Sequence, residues 1–537
     1  MIRDVSVEGI GLFSEYNVYL PPKRYDLSIA LVYPSTYSAS ITNLFTHIAY
    51  YFLNERLNVL IDRFTMDNPN RGALTGYDLR KFDIILASVS FELDLPYLVN
   101  MLIKNKVNPN IRKRKVDDPF IIIGGPPATA NPLPYSVVAD TVFVGEGEVL
   151  LSKLVDLVDV IRYSKDWKEL LTDKLVRTGY CYSIKYRNKV KRAFVVDING
   201  TFVPEYLIRS RRYEPVYGDG YYLEVSRGCK WLCSFCMEAF ISYPFRYRSK
   251  ELIMKYVIDG VKNIGKKRVV FYSLSFFDHP ESDSILKELL ESGISYNVPS
   301  IRYTTLNESR IDLILGGGQR TITIAPETLS CIASRLIRKE INMELLRRLC
   351  LYTLKKRANL KLYFILGLPC EGEIVKYVSN FINELIRDTD SLRKEQIRVS
   401  INPLIPKPNT PMQYLGLIRR QRFRYLIEEI QKSIKGRRYV RFDYYDWRWA
   451  YAQTLIALGS ERAGELTIRW GELGCGLGAL RRAIKELRYD DSYVFKVKDI
   501  NEYLPWSEVV DTGLNALVKH LGSVVLTSLG ECDSYST

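Results

Sequence analysis

Three cysteines, Cys229, Cys233 and Cys236, fall within eight positions in the stretch EVSRGCKWLCSFCMEAF, residues 224–240. Three thiolates can hold a metal, yet the neighbourhood offers no fourth soft ligand. The next histidine is His279 and the next cysteine is Cys331. A structural zinc site takes four closed ligands, so zinc here requires a distant partner. Plain packing of three cysteines is another reading. A [4Fe–4S] cluster held by three thiolates leaves one iron open for a substrate or cofactor, and this reading uses the missing ligand directly.

The other six cysteines, at 181, 331, 350, 370, 475 and 532, are scattered. Their odd total of nine and wide spacing argue against a disulfide framework in a chain of 537 residues. A reducing, cytoplasmic setting is therefore expected. The N-terminus, MIRDVSVEGIGLF, shows no apolar export region, and no apolar run reaches the roughly 20 residues of a membrane span.

The elements that must position the cysteines follow from the hydrophobic pattern. From residue 220 onward six strand-like runs alternate with helical stretches: 221–226, 268–274, 295–301, 321–326, 360–367 and 397–404. Six units fall short of a closed eight-stranded barrel, so an open, partial (β/α)6 barrel is expected, with its chemistry at the C-terminal strand ends. The cysteine cluster directly follows the first of these strands. Upstream, apolar strands at 26–33, 83–89, 119–123 and 141–144 alternate with helices such as SITNLFTHIAYYFLNE, the pattern of a doubly wound, Rossmann-like α/β domain. Its strand-end loops, YPSTYS, SFEL, GGPPATANP and GEGE, are candidate ligand loops. Between the two units Asn199-Gly200 separates two β-rich runs and predicts a hairpin. The tail, from IRRQRFRYLIEEIQKSI onward, reads as helical. The expected division is a Rossmann-like domain over 1–160, a β-hairpin linker over 161–215, the partial barrel over 216–415 and a helical domain over 416–537.

The cysteine spacing, the aromatic Phe235 before the last cysteine and the position after strand one resemble the radical S-adenosylmethionine (SAM) superfamily. The resemblance spans residues 20–415. YPSTYSASITNL, SVSFELDLPYLVNML, GGPPATANPLP and GEGE are similar to members with an N-terminal cobalamin-binding or cobalamin-binding-like domain. GGQRTITIAPETLSCIASRLIRKEI, YFILGLP and INPLIPKPNTPMQY are similar to their barrel, and LGSERAGEL fits one uncharacterised branch.

The resemblance implies a [4Fe–4S] cluster on Cys229, Cys233 and Cys236 whose open iron binds SAM, followed by one-electron cleavage and hydrogen abstraction from an unactivated C–H bond. It further implies that Glu327 in APET contacts the SAM ribose, and that Arg338 or Lys339 in RLIRKE contacts its carboxylate; a surface ion pair is the competing reading. Ser273 and Ser275 stand where many members carry a glycine-rich SAM contact. Cys370 in GLPCEGE stands where a thiol could donate a hydrogen atom or join methyl transfer, or merely fill a loop. For cobalamin the usual Asp-x-His-x-x-Gly signature is absent, and Tyr33-Pro34-Ser35-Thr36 stands in its place. His47 reads as a helix-packing histidine, leaving Gly124, Gly125, Gly145 and Glu146 as the cradle for a corrin or its nucleotide tail.

With cobalamin the implied outcome is methyl transfer or C–C bond formation on a small-molecule or lipid substrate, with an electron donor such as ferredoxin or flavodoxin. The net charge of +15 at 47% hydrophobic and 26% charged composition fits a globular protein with either an anionic partner or a generally basic surface. The rival reading is an RNA-binding module with a structural cluster, drawn from that charge and the aromatic stretch YYDWRWAY.

Overall fold

The computed structural model describes residues 5, 6 and 8–532. Its first sheet has the order β2-β1-β3-β4-β5-β6, formed by β1 Leu27–Val32, β2 Val59–Phe64, β3 Ile84–Ser88, β4 Phe120–Gly124, β5 Thr141–Phe143 and β6 Cys181–Tyr182. The first five strands are parallel, in registers such as Leu27↔Val59, Ile29↔Ile84, Ile84↔Phe120 and Ile122↔Thr141, and β6 closes the edge antiparallel to β5. Runs such as LSIALV and FIII are buried along almost their whole length, as parallel strands covered on both faces must be. The winding reverses between β1 and β3, so the ligand crevice of this fold lies at their carboxyl ends.

Strand β2 escapes a hydrophobicity reading because Asp62 and Arg63 interrupt it. Both charges meet partners inside the fold. Asp62 accepts from the amides of Leu74 at 2.8 Å and Thr75 at 2.7 Å, while Arg63 forms a buried ion pair with Glu15.

The second unit is an open barrel of seven parallel strands in two arcs. One arc holds β7 Tyr221–Glu224, β8 Arg268–Tyr272 and β9 Ser295–Asn297; the other holds β10 Thr321–Glu327, β11 Asn359–Leu366, β12 Ile397–Pro403 and β13 Val440–Tyr444. Six strands match those expected. The seventh, β13, and the helix Arg420–Ser433 before it extend the barrel past the expected boundary at residue 415. The sequence VRFDY hides this strand because it is an edge, with Arg441 and Asp443 paired to one another at 3.2 Å rather than buried.

The expected hairpin at Asn199-Gly200 is not formed. Ile198–Gly200 is a 3₁₀ turn capped by Asp197, and the Asn199 side chain accepts from the Ser249 amide at 2.9 Å. The short strands around it pair elsewhere, Val190–Lys191 with Val510–Asp511 and Arg209–Ser210 with Glu15–Tyr16. Long-range partners override a local turn signal here.

The tail is mostly helical, with helices Trp447–Ala457, Glu461–Glu472 and Leu477–Leu487 packed on the first sheet's core. Trp447 donates to the Ile418 carbonyl at 2.7 Å and stacks on Tyr451, while Trp449 stacks on Trp470. These rings are engaged in packing, whereas Tyr444 of the same stretch is exposed. The terminal helix, Asn515–Glu531, returns to the barrel and ends in a Cys370–Cys532 disulfide, contrary to the expectation of free thiols. No described helix is long and apolar enough to cross a membrane.

Candidate active site

The three cysteines sit on the loop that leaves β7. A two-residue ladder, Ser226–Arg227 against Arg246–Tyr247, flanks the loop at its start. The Cys236 amide donates to the Cys233 carbonyl at 2.9 Å, and Cys236 opens the helix Met237–Ile241. Ser234 ties the loop's centre to the barrel: its amide donates to Ile337 O at 3.0 Å and its hydroxyl to Leu336 O at 2.7 Å. All three thiols are free and partly exposed. Burial pushes Cys236 up to about 12 and also raises Cys229, so both are held as thiols until a metal replaces the proton.

Among the described residues no three His, Cys, Asp or Glu side chains converge tightly enough to hold one metal ion. Zinc would draw its ligand sulfurs to about 2.3 Å from a single point. Three thiolates on one loop with no fourth soft ligand beside them fit a [4Fe–4S] cluster with one open iron, whereas a structural zinc ion takes four ligands. His279 offers nothing to a metal, since its Nε2 hydrogen-bonds Arg248 O at 2.7 Å and its Nδ1 accepts from the Glu281 amide at 3.0 Å.

Around this loop the candidate residues separate into two groups. Glu327 ends β10 in a left-handed conformation and accepts from Lys339 Nζ at 2.8 Å, both side chains largely buried. Arg338, one residue earlier in the chain, is exposed. The pair Glu327–Lys339 thus faces inward and Arg338 faces outward. Ser273 shares a 2.6 Å hydrogen bond with Ser226, joining the ends of β7 and β8, and the buried Ser275 hydroxyl has no hydrogen-bond partner among the described residues. Cys370 is bonded to Cys532, so no thiol hydrogen is available there in this form.

A cavity of about 460 Å³ opens between the carboxyl ends of the two sheets. Gly228 and Glu238, which bracket the three cysteines, lie on one wall; Ser88 and Gly124, at the ends of β3 and β4, lie on the other. Burial pushes the Glu238 carboxyl up to about 7. A Cβ on Gly124 would have no neighbour closer than 3.8 Å, so this glycine leaves space on the cavity side. Gly125 and Gly145 differ: both have φ near +125°, and a Cβ would strike Val89 O at 1.9 Å or Ala193 O at 2.2 Å. Their absence of side chain serves the chain's own packing. With Phe45, Ile48 and Phe143 as apolar wall, the cavity suits a flat ring system or a nucleotide tail of a cofactor such as cobalamin.

Glu146 lines the cavity and is at the same time held by two arginines. It pairs with Arg227 and with Arg246, each at 2.7 Å, and accepts from the Val195 amide at 2.8 Å. Arg227 also binds Glu148 at 2.6 Å and Glu224 at 2.7 Å. This cluster was invisible to sequence reasoning except as the repeated acids of GEGE and the arginine ahead of the first cysteine. His47 is a packing residue, with Nε2 donating to Ile41 O at 2.9 Å and Nδ1 accepting from the Ile208 amide at 3.1 Å.

Comparison with known proteins agrees with this arrangement. Residues 46–183 match the family model for the N-terminal region of radical SAM proteins, and residues 223–376 match that for the radical SAM superfamily. An uncharacterized protein of Methanocaldococcus jannaschii, MJ0966, is 25% identical over 480 residues, covering 88% of this chain and 97% of its own. The radical SAM methyltransferase TsrM of Kitasatospora setae, solved with cobalamin and a [4Fe–4S] cluster, aligns with a TM-score of 0.52 at 11% identity over 83% of this chain and 99% of that one. The same enzyme with tryptophan and a SAM analogue aligns at 0.50 and 10% identity over 86% and 100%. With three free cysteines on the loop after the first strand of an open parallel barrel, preceded by a doubly wound sheet, the chain belongs to the radical SAM superfamily and carries that superfamily's N-terminal region ahead of its barrel.

Proposed function

We propose that this protein cleaves S-adenosylmethionine at a [4Fe–4S] cluster on Cys229, Cys233 and Cys236 and functionalises an unactivated C–H bond, with cobalamin-dependent methyl transfer or C–C bond formation as the outcome. The observation that carries the reading is the cavity whose walls join the cysteine loop to the carboxyl ends of the N-terminal sheet. When bound, the cluster and SAM supply one-electron cleavage of a sulfonium, and cobalamin supplies a methyl carrier.

The chain's own residues do the rest. Lys339, braced by Glu327, places a cation beside an acid at the mouth of β10, suited to an amino-acid carboxylate and to ribose hydroxyls. The Ser226 and Ser273 hydroxyls line the cavity at the ends of β7 and β8. Apolar walls such as Phe45, Ile48 and Phe143 exclude water from reactive species. In this reading the region up to residue 160 holds cobalamin and the barrel holds the cluster.

The test is anaerobic cluster reconstitution, then SAM with a chemical reductant, with products separated by chromatography and bound cobalamin read by absorption and mass spectrometry. A preparation with full cluster absorption that forms neither 5′-deoxyadenosine nor S-adenosylhomocysteine would sink the proposal.

A further inference from the structure

A second cavity, of about 370 Å³, lies in the C-terminal tail, and an unusual lysine stands on its wall. Lys498 is buried, with 4% of its surface exposed. Its Nζ donates to the Tyr493 carbonyl at 3.0 Å and to the Lys496 carbonyl at 3.3 Å, and among the described residues it has no carboxylate within 4 Å. Glu502, on the same wall, is engaged by Lys496 at 2.9 Å. An ammonium taken out of water and held by carbonyls alone keeps an uncompensated charge. Burial accordingly lowers the Lys498 pKa to about 8. Two arginines share the cavity. Arg462 and Arg488 are exposed, and among the described residues neither has a carboxylate within 4 Å. The other acid on the wall, Asp490, accepts from the Ser492 amide at 3.0 Å. Ser460 lines the cavity too and caps the helix Glu461–Glu472, so the positive end of a helix of 12 residues opens there. The apolar part of the wall is rigid: Leu458, Leu504 and Trp506 are buried together, and the Trp506 indole donates to Gln413 at 2.8 Å.

We infer that this cavity binds the phosphate group of a small ligand, with Lys498 as the inner cation and Arg462 and Arg488 as the outer ones. None of the three residues belongs to the cysteine loop or to the cavity of about 460 Å³ beside it, so the site is separate from the SAM chemistry proposed above. The charge count selects the ligand. One ammonium and two guanidinium groups face Asp490 and Glu502, and Glu502 is already neutralised by Lys496 from outside the wall. A surplus of about two positive charges matches a phosphate monoester, which carries about −1.5 to −2 at pH 7, better than a single carboxylate. Guanidinium forks and a helix N-terminus are also the groups that suit tetrahedral oxyanions. A cavity of about 370 Å³ has the size of a small-molecule site, and it lacks the run of stacking rings along a groove that a nucleic-acid strand requires.

The experiment uses the full chain and inorganic phosphate as probe, at an ionic strength held constant with chloride. Binding is read by calorimetry and by the rise in melting temperature that a ligand of the folded state produces. Wild type binds phosphate and melts higher in its presence. Lys498→Met and the Arg462→Gln/Arg488→Gln double variant each weaken phosphate binding by about tenfold or more, and neither shows the wild-type rise in melting temperature. The two arginine side chains are exposed, so the double variant folds and decides the question even where a change at the buried Lys498 disturbs the fold. Absence of both heat and melting shift with phosphate in wild type overturns the site, as does equal phosphate affinity in wild type and double variant. Acetate bound as tightly as phosphate overturns the phosphate assignment. Single-stranded RNA captured more tightly than phosphate through the same three residues overturns the small ligand.

Discussion

Arg227 and Glu146 meet at 2.7 Å across the junction of the two sheets, one from the segment that leads into the cysteine loop and the other from the loop after β5. Arg246 and Glu148 complete a clasp that fixes the N-terminal sheet over the barrel mouth, with the cavity alongside. Glu146, which also lines the cavity, therefore ties the two halves of the site together.

Removing Arg227 leaves Glu146, Glu148 and Glu224 crowded together with their shared guanidinium gone. Arg227→Ala is expected to destabilise the protein by about 3–5 kcal/mol, the usual cost of stripping one partner from a buried charge cluster. Glu146→Gln, which spares two of the three partners of Arg227, costs less, about 1–3 kcal/mol. Urea denaturation measures both. An Arg227→Ala protein within 1 kcal/mol of wild type would show that the clasp contributes little.

Single Cys→Ala substitutions at 229, 233 or 236 should abolish the visible absorption of the reconstituted cluster and the formation of deoxyadenosine. On the proposed reading each removes one of the cluster's three protein ligands. Cys229 and Cys236 also pack against Leu514, Leu517 and Val518 of the terminal helix, so the melting temperature of the apoprotein should fall modestly while cluster absorption is lost altogether. Retained turnover in any of the three would contradict their assignment as ligands.

The chemistry-bearing loop was legible because its signal is local: three cysteines at fixed spacing after an apolar strand. Both sheets were legible for a similar reason, since parallel strands buried on two faces read as apolar runs. Failures cluster where partners are distant. Strand β2 carries Asp62 and Arg63, whose satisfaction depends on Thr75 and Glu15. Edge strand β13 carries an internal ion pair, and the SFEL loop, expected to face a ligand, meets the PKPNTP segment through Glu92 and Lys407. Cys370 and Cys532 lie 162 residues apart, a separation no spacing rule reaches.

His47 gives the stability a pH dependence of known sign. Burial lowers its pKa from about 6.5 to about 3, and its Nδ1 must stay unprotonated to accept from Ile208. The unfolded chain therefore binds a proton that the folded one refuses. The contribution is fully present above pH 6.5 and is lost as pH falls toward 3, at about 1.4 kcal/mol per unit. In His47→Gln the slope of unfolding free energy between pH 6.5 and 4.5 should be shallower than in wild type by that amount. Parallel slopes would mean the imidazole can be protonated in place.

The terminal helix supplies the last prediction. Leu514, Leu517 and Val518 pack on Cys229, Leu232 and Cys236, Val525 and Leu529 pack in the cluster that holds Phe235 and Ile337, and the helix is then fastened by Cys532 to Cys370. It covers one side of the cysteine loop and is held at its far end by a bond closing a separation of 162 residues. In the chain-entropy account a loop of that size contributes about 4–5 kcal/mol. Cys532→Ser should lower the wild-type melting temperature to the value that wild type shows in excess dithiothreitol, and dithiothreitol should leave the variant unchanged. Amide exchange should rise over Asn515–Glu531 while the barrel strands keep their protection, because the contacts that remain are apolar and local to the helix. A reductant that changes neither melting nor exchange in wild type would show that the pair is not bonded in solution, and Cys370 would then return as a free thiol at the end of β11.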